Sequence, residues 1–517
     1  MTEPKAAEKV LFFRNAKRAT PILLVLFLLL GFAVRLIDLT DLPLDFAATR
    51  QLHSFIMARG LYYQMDTPET LSMDQGLRSF GINTGNSEPV IEPPLMEYLT
   101  AFTYRLAGGE NLLIPRIYSI LFWVLGGWAL FKLARRFTSV NGAFGALAFY
   151  LFIPFGVFAS RSFQPDPLMV MCVLWAWYFQ VRWSDQDDLQ NAILAGLFTG
   201  LAVLVKAPMA FFVGVPFAGL VLQKGFKSWI KNYRVYLMAA LAILPALIYN
   251  LLSATVGGNA GSIFGARFFP QLFIDPRWYL DWLKMLNSVV GAFPLVLGLL
   301  AFFLIQKKAL RVFYGCLWLG YVLYGYTFAY HIYTHNYYQL PLLPILALGF
   351  GLIFAVVFEK LNEFNPGWWG KTLVSLVLVF GLLLSVQKTR GVLVGADYRH
   401  EAAYWNELGQ KIGQNQAVIA LIQDYGYRLS FWGNVSPTLW PTAGDRTIKL
   451  LEGATDPAFR QLFKELTLGK TRFLVTMPGE LESQPDLKNY LFASFPYESG
   501  DGFFLFDLTQ PLTAPTE

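Results

Sequence analysis

The chain has 517 residues, 55% of them hydrophobic and 16% aromatic, and only 15% are charged. Soluble domains carry about 25% charged residues. Here the deficit is concentrated in apolar runs close to the roughly 20 residues a bilayer core requires of a helix, which excludes a large soluble protein. The net charge of +6 is no nucleic-acid signature, because the basic residues sit in short clusters beside those runs, as in membrane proteins.

The first apolar run, 21–37, follows a basic flank of Lys5, Lys9, Arg14, Lys17 and Arg18. Arg35 and Asp38 come after it in place of a small-residue cleavage site, so it reads as an uncleaved first span. A polar stretch, 38–92, comes next. Within it 46–60 has a helical pattern with Phe46, Leu52, Phe55 and Ile56 apolar. This reads as an amphipathic helix lying on the membrane, with Asp45 at its N-cap. The segment PPLMEYLTAFTYRLAG from Pro93 is too short and polar to span and reads as a second interfacial helix.

Further spans follow at 112–133, 142–159, 168–181, 192–205, 209–222, 235–252, 289–305, 313–330, 340–358 and 372–386. An outer loop joins 252 to 289. With about eleven crossings the strongest basic clusters fall on one side, which puts the N-terminus inside and the C-terminus outside. After Gln387 the apolar runs shorten, and helix and strand patterns alternate: HEAAYWNELGQKI, AVIALI, PAFRQLFKEL, RFLVTM, FFLFDL. This predicts a small α/β extracytoplasmic domain, 388–517, after an all-α membrane domain, 1–387, with its outer loop at 38–111. Cys172 and Cys316 lie in apolar runs and form no disulfide framework.

Candidate chemistry gathers on the outer side of this topology. Asp45 is a helix cap on one reading and a general base fixed at the membrane surface on the other. Arg50 follows it in the same stretch. Glu92 precedes two prolines, which force an extended turn before a helix. Arg161 and Asp166 stand between apolar runs, where ionisable groups either snorkel to an interface or line a cavity. Lys206 is flanked by apolar residues on both sides. Burying it at a helix centre costs about 2.5–3.5 kcal/mol, so it calls for an anionic partner, and a phosphate suits a lysine point charge. Arg267, in a Gly-rich loop, is a second phosphate candidate. His331 and His335 have i, i+4 spacing; a zinc reading lacks a third ligand, and hydrogen bonding to a polar substrate fits better. Tyr337 and Tyr338 suit either a substrate site or an aromatic belt.

The order of these features resembles the GT-C class of polyprenyl-phosphate-sugar glycosyltransferases, in particular the protein O-mannosyltransferase and aminoarabinose transferase group. The resemblance rests on the acidic outer loop, the PPL turn, the Arg161 to Asp166 stretch, Lys206 followed by a small residue and Pro208, and YYQLPLLP. It implies an all-α GT-C-like membrane domain with a soluble α/β tail. It implies a polyprenyl-phosphate-linked sugar as donor, and a protein, lipid or glycan as acceptor. It places the catalytic base at Asp45. The family's Asp-Glu pair is absent here, since Phe46 follows Asp45, and the resemblance offers Asp166 as the second carboxylate. The position before PPL is often basic in relatives that hold a lipid phosphate there. Glu92 stands there in this chain, which shifts phosphate binding to Lys206 and Arg267, with Arg161 the alternative cation for the charge on the leaving phosphate. Whether a divalent metal takes part stays open. The competing reading is a transporter or flippase for a lipid-linked solute, whose mark would be inverted repeats with helices broken at the midplane.

Overall fold

The computed structural model describes residues 16–255, 268–364, 367–413, 416–455 and 457–512. The chain divides into two compact units. The first comprises Met1–Thr40, Val90–Leu95 and Leu113–Ala396; the second comprises Asp41–Pro89, Met96–Leu112 and Asp397–Glu517.

The first unit is helical. Helices occur at each apolar run, among them Ala16–Arg35, Leu113–Phe137, Asp166–Gln186, Leu189–Val205, Lys308–Thr327, Leu342–Glu363 and Trp368–Gly395. Among the described residues five helices are long and apolar enough to cross a bilayer, and a sixth if the bent pair Pro276–Val289 and Ala292–Leu304 is one span. Val140–Phe152, Leu189–Val205 and Ala207–Gln223 are shorter apolar helices.

Two features of the first unit differ from the sequence reading. The run at 142–159 is broken, because Pro154 opens a new helix, Pro154–Ala159, after Ile153 has taken an extended conformation. The loop read at 252–289 contains a helix, Pro276–Val289, capped by Asp275, whose side chain accepts from the Arg277 amide. That helix ends where Gly291 adopts φ +83°, and the chain then turns through 99°. The apolar run at 289–305 therefore yields only a short helix, Ala292–Leu300, and a 3-10 turn, Ala301–Leu304.

Small residues set how closely these helices pack. A Cβ on Gly351 would lie 2.8 Å from the Gly142 carbonyl oxygen, and one on Gly142 would strike the Gly351 carbonyl. Gly142→Leu is therefore expected to force the Val140–Phe152 and Leu342–Glu363 helices apart. A loss of the folded, monodisperse peak in size-exclusion chromatography checks this, whereas leucine at an exposed, open position such as Gly381 leaves the profile unchanged.

The second unit holds a five-stranded sheet in the order β2-β1-β3-β5-β4. Its strands are β1 Val418–Leu421, β2 Thr438–Leu439, β3 Arg472–Val475, β4 Tyr497–Gly500 and β5 Phe503–Asp507. β1 pairs in parallel with β2 and β3, while β5 is antiparallel to both β3 and β4. Strand side chains alternate between faces, and both faces of the central strands are covered. Ile419, Leu421, Phe473, Val475 and Phe506 pack with Trp440 and Phe463. Val418, Ala420, Leu474 and Leu505 pack with Trp405, Leu408 and Leu429. The helices and strands read at HEAAYWNELGQKI, AVIALI, PAFRQLFKEL, RFLVTM and FFLFDL are all present, as Glu401–Ile412, β1, Phe459–Thr467, β3 and β5.

The same unit contains the helix Ala48–Tyr63, packed on Gln75–Ser87 where Gly60 and Gly85 touch. The expected Asp45 N-cap is not formed. Ala47 occupies the N-cap position in a left-handed conformation, φ 44° and ψ 55°, with no side-chain cap. The kink at Ala47 turns the chain before the helix starts and puts Asp45 outside the first turn.

Candidate active site

In the first unit two of the sequence candidates form one buried pair. Asp166 is the first residue of the helix Asp166–Gln186 and only 1% exposed, where the helix N-terminus favours a carboxylate. Lys206 occupies the break between Leu189–Val205 and the 3-10 turn Ala207–Met209, with φ −154°. The break comes from Pro208, which cannot donate to a continuing helix. It frees the lysine stem to reach inward, and its ammonium donates to both carboxylate oxygens of Asp166, at 2.9 and 3.1 Å. The anionic partner that Lys206 calls for is thus supplied within the chain.

The tyrosines of the YYQLPLLP stretch complete this cluster. The Lys206 ammonium lies 5.4 Å from the Tyr337 ring centre and 5.9 Å from that of Tyr338, within cation–π range. Tyr338 stacks on Tyr324 and on His331. His331 and His335 are neighbours, ring centres 5.1 Å apart, and His335 Nδ1 is 2.7 Å from the Thr334 hydroxyl. The turn is held by a residue that the sequence reading passed over. Gln339 is fully buried, accepts from the Tyr321 hydroxyl at 2.5 Å and donates to the Ile332 carbonyl at 2.6 Å. Among the described residues no group of three or more His, Cys, Asp or Glu side chains is close enough to hold a metal ion.

Arg161 is buried and grips backbone. Its guanidinium donates to the carbonyls of Arg35, Ile37 and Asp38, the last at 2.9 Å. Two further buried arginines, neither of them a site candidate in the sequence reading, do similar work. Arg116 donates to the Leu39 carbonyl at 2.7 Å, and Arg35 donates to the Ser160 hydroxyl at 2.6 Å. A guanidinium offers five donors in a planar fork. The three side chains therefore secure the end of the first helix and the chain that leaves it. The available sequence signal was an arginine inside or at the end of an apolar run, the same signal that singled out Lys206. Glu92 lies in the Val90–Leu95 segment of this unit, half-buried before Pro93 and Pro94. Arg267 lies outside the described residues.

In the second unit Asp45 sits in an irregular segment pinned by Asp41, whose carboxylate accepts from the Leu42 amide at 2.7 Å and the Tyr398 amide at 3.1 Å. The Gln51 amide donates to the Phe46 carbonyl at 2.7 Å and approaches Asp45 at 3.4 Å. Burial pushes the Tyr398 phenol above its usual range; the Arg428 guanidinium pulls it down, and the Asp45, Asp41 and Glu401 carboxylates push it up. Asp45 is thus one member of a charged constellation built from both the 38–92 stretch and the tail.

Arg50, on the helix Ala48–Tyr63, acts electrostatically on Tyr427. The Tyr427 hydroxyl donates to Glu88 at 2.8 Å, and His53 lies 3.6 Å from the same carboxylate. Burial raises the Glu88 carboxyl above its ordinary value, and the Tyr427 hydrogen bond opposes the shift.

Residues 91–251 match the family model described as dolichyl-phosphate-mannose-protein mannosyltransferase. No curated protein sequence matches the chain. Among solved structures the fold is similar to ArnT from Cupriavidus metallidurans in the apo state, with a TM-score of 0.57 at 14% identity, over 94% of this chain and 98% of that one. The same protein bound to undecaprenyl phosphate gives a TM-score of 0.56 at 14% identity, again over 94% and 98%. The archaeal oligosaccharyltransferase AglB from Archaeoglobus fulgidus, in complex with an inhibitory peptide and a dolichol-phosphate, gives 0.55 at 12% identity, over 96% of this chain and 74% of that one. The resemblance to the GT-C class thus holds in the fold over nearly the whole chain. The mannosyltransferase family match lies within it and includes Asp166 and Lys206.

Proposed function

We propose that the protein is a multi-pass membrane glycosyltransferase that takes a sugar from a polyprenyl-phosphate donor and transfers it, with inversion, to an acceptor hydroxyl. The observation that carries this reading is the buried Asp166–Lys206 pair beneath Tyr337 and Tyr338. It stands inside the segment that matches the mannosyltransferase model, in a fold shared with proteins solved with polyprenyl phosphates.

In this reading the reaction runs on the outer face of the cytoplasmic membrane. About eleven crossings put the N-terminus in the cytoplasm and the 388–517 domain outside. Asp45 removes the proton from the acceptor hydroxyl. The acceptor oxygen forms a bond to the anomeric carbon from the side opposite the phosphate. The bond between that carbon and the phosphate oxygen breaks, and the lipid phosphate leaves with the electron pair. Lys206, oriented by Asp166, meets the charge that develops on the phosphate; Arg267 is the further cation assigned to it. Arg161 helps by holding the chain that leads to Asp45. The tyrosines and histidines of 331–338 bind the donor's polar head. A long lipid donor explains why such an enzyme is built from membrane helices.

The test is reconstitution of the full chain in vesicles containing a panel of polyprenyl-phosphate sugars, with release of the free lipid phosphate measured by mass spectrometry. Consumption of one donor supports the reading. If wild-type protein consumes none of them, in the presence of a membrane extract supplying acceptors, the transferase reading is wrong.

A further inference from the structure

Strand β1 stands where the sheet changes direction, since the chain leaves it for β2 on one side and β3 flanks it on the other. In open α/β sheets the carboxyl ends of the strands at such a point frame a crevice where ligands bind. Here that crevice is framed by the turn Gln423–Gly426 after β1 and by Thr476 after β3. The Thr476 hydroxyl donates to the Gln423 side chain at 2.5 Å, joining the two strand ends.

The turn is strained. Asp424, Tyr425 and Gly426 hold φ of +51°, +55° and +74° in succession. Glycine is required at 426, because a Cβ there would lie 2.7 Å from the Pro437 ring. Asp tolerates this region, but a tyrosine does not enter it without cost. Such residues persist where the surroundings over-determine them, and they cluster at ligand clamps and active sites. The ring is only half covered, since Tyr425 is 52% exposed, and its centre lies 6.4 Å from that of Tyr427.

What over-determines the turn is a network of polar contacts. One Asp424 oxygen accepts from the Thr49 hydroxyl at 2.9 Å and the other from Arg428 at 2.6 Å. Arg428 in turn pairs with Glu401 at 3.0 Å. Thr49, the second residue of the helix Ala48–Tyr63, comes four residues after Asp45, and Arg428 and Asp45 both act on Tyr398. The strained turn and the proposed base therefore belong to one constellation within the second unit.

We propose that Gln423–Gly426 is an acceptor subsite for a glycan, with the Tyr425 ring lying against the C–H face of a pyranose and the Gln423 amide meeting its hydroxyls. An exposed aromatic face beside hydrogen-bonding side chains matches a ring with an apolar face and a polar rim. An extended peptide would instead seek an unpaired strand edge; in this sheet the edges are β2 and β4, while β1, which leads into the turn, is paired on both sides. Calling the ligand an acceptor rests on the transferase reading; the binding of a sugar does not.

The experiment is saturation-transfer difference NMR on the purified full chain in micelles, with maltose, cellobiose and chitobiose as separate probes at millimolar concentration. Wild type is expected to transfer saturation to pyranose C–H protons of at least one probe. Tyr425→Phe should keep this binding, and Tyr425→Ala should weaken it by about two- to tenfold. Tyr425→Gly suits the backbone, so it should raise the melting temperature while it loses binding. A purely structural tyrosine would show the reverse. The subsite is overturned if no probe binds, if Tyr425→Ala binds as wild type does, or if Tyr425→Gly melts earlier. Tyr425-dependent signal from a serine-containing hexapeptide, with none from the sugars, would overturn the glycan assignment. Disaccharide binding without consumption of any lipid-phosphate sugar would keep the subsite and remove the transferase reading. Donor consumption without disaccharide binding would remove the subsite alone.

Discussion

Asp45→Asn is expected to lower sugar transfer by about 10²–10⁴-fold, the usual contribution of a positioned general base. Asparagine has the same shape and can still accept from Gln51, which approaches Asp45 at 3.4 Å and bonds Phe46 more closely. The neighbouring anchor is separate, since Asp41 accepts from the Leu42 and Tyr398 amides. The fold should therefore survive, and donor binding measured by equilibrium dialysis should stay within a factor of about three, a shift of roughly 0.6 kcal/mol. Only the turnover rate should fall. Asp41→Asn is the control. It weakens an anchor without removing the proposed base, so it should cost stability and leave the per-molecule rate of the folded fraction nearly intact. Full transfer by Asp45→Asn would remove Asp45 as the base.

The sequence made some of this legible and hid the rest for physical reasons. Apolar runs locate helices because a bilayer-facing helix needs continuous hydrophobicity, and every run read as a span contains one. Their ends were less visible. Pro154 and Gly291 break runs that hydrophobicity alone reads as continuous. The helix Pro276–Val289 was missed, although Trp278, Trp282, Leu286 and Val289 are buried at helical spacing. Polar residues between them lowered the hydropathy, and only periodicity carried the signal.

At the site, Lys206 announced itself by charge in an apolar setting, and so did Asp166. Their pairing across forty residues of chain is a tertiary fact that no local pattern encodes. Gln339 gave no signal, because a glutamine is unremarkable until its burial is known. The Asp45 cap was misread because Asp before an apolar-periodic stretch is the ordinary start of a helix, whereas the left-handed Ala47 delays this one.

The Asp166–Lys206 pair allows stability and catalysis to be separated. Lys206→Met leaves a carboxylate 1% exposed without its ammonium, and Asp166→Asn leaves a buried ammonium without its anion. Removing one partner of such a pair costs about 3–5 kcal/mol, because the remaining charge is uncompensated. Each single variant should therefore melt well below wild type. The double variant Asp166→Asn/Lys206→Met removes both charges, and replacing a buried pair by neutral side chains is often neutral. Its destabilisation should fall short of the sum of the singles by more than about 1 kcal/mol.

Transfer activity should not follow this recovery. If Lys206 meets the charge on the leaving phosphate, a methionine there cannot do so in any background. The double variant should then be folded and still reduced by about 10²-fold or more, as when a preorganised electrostatic group is lost. Double-variant activity close to wild type would show the pair to be a structural strut and would shift the phosphate-binding assignment to Arg267. Single variants as stable as wild type would contradict the buried geometry itself, since Lys206 is 6% exposed and bonds both oxygens of its partner.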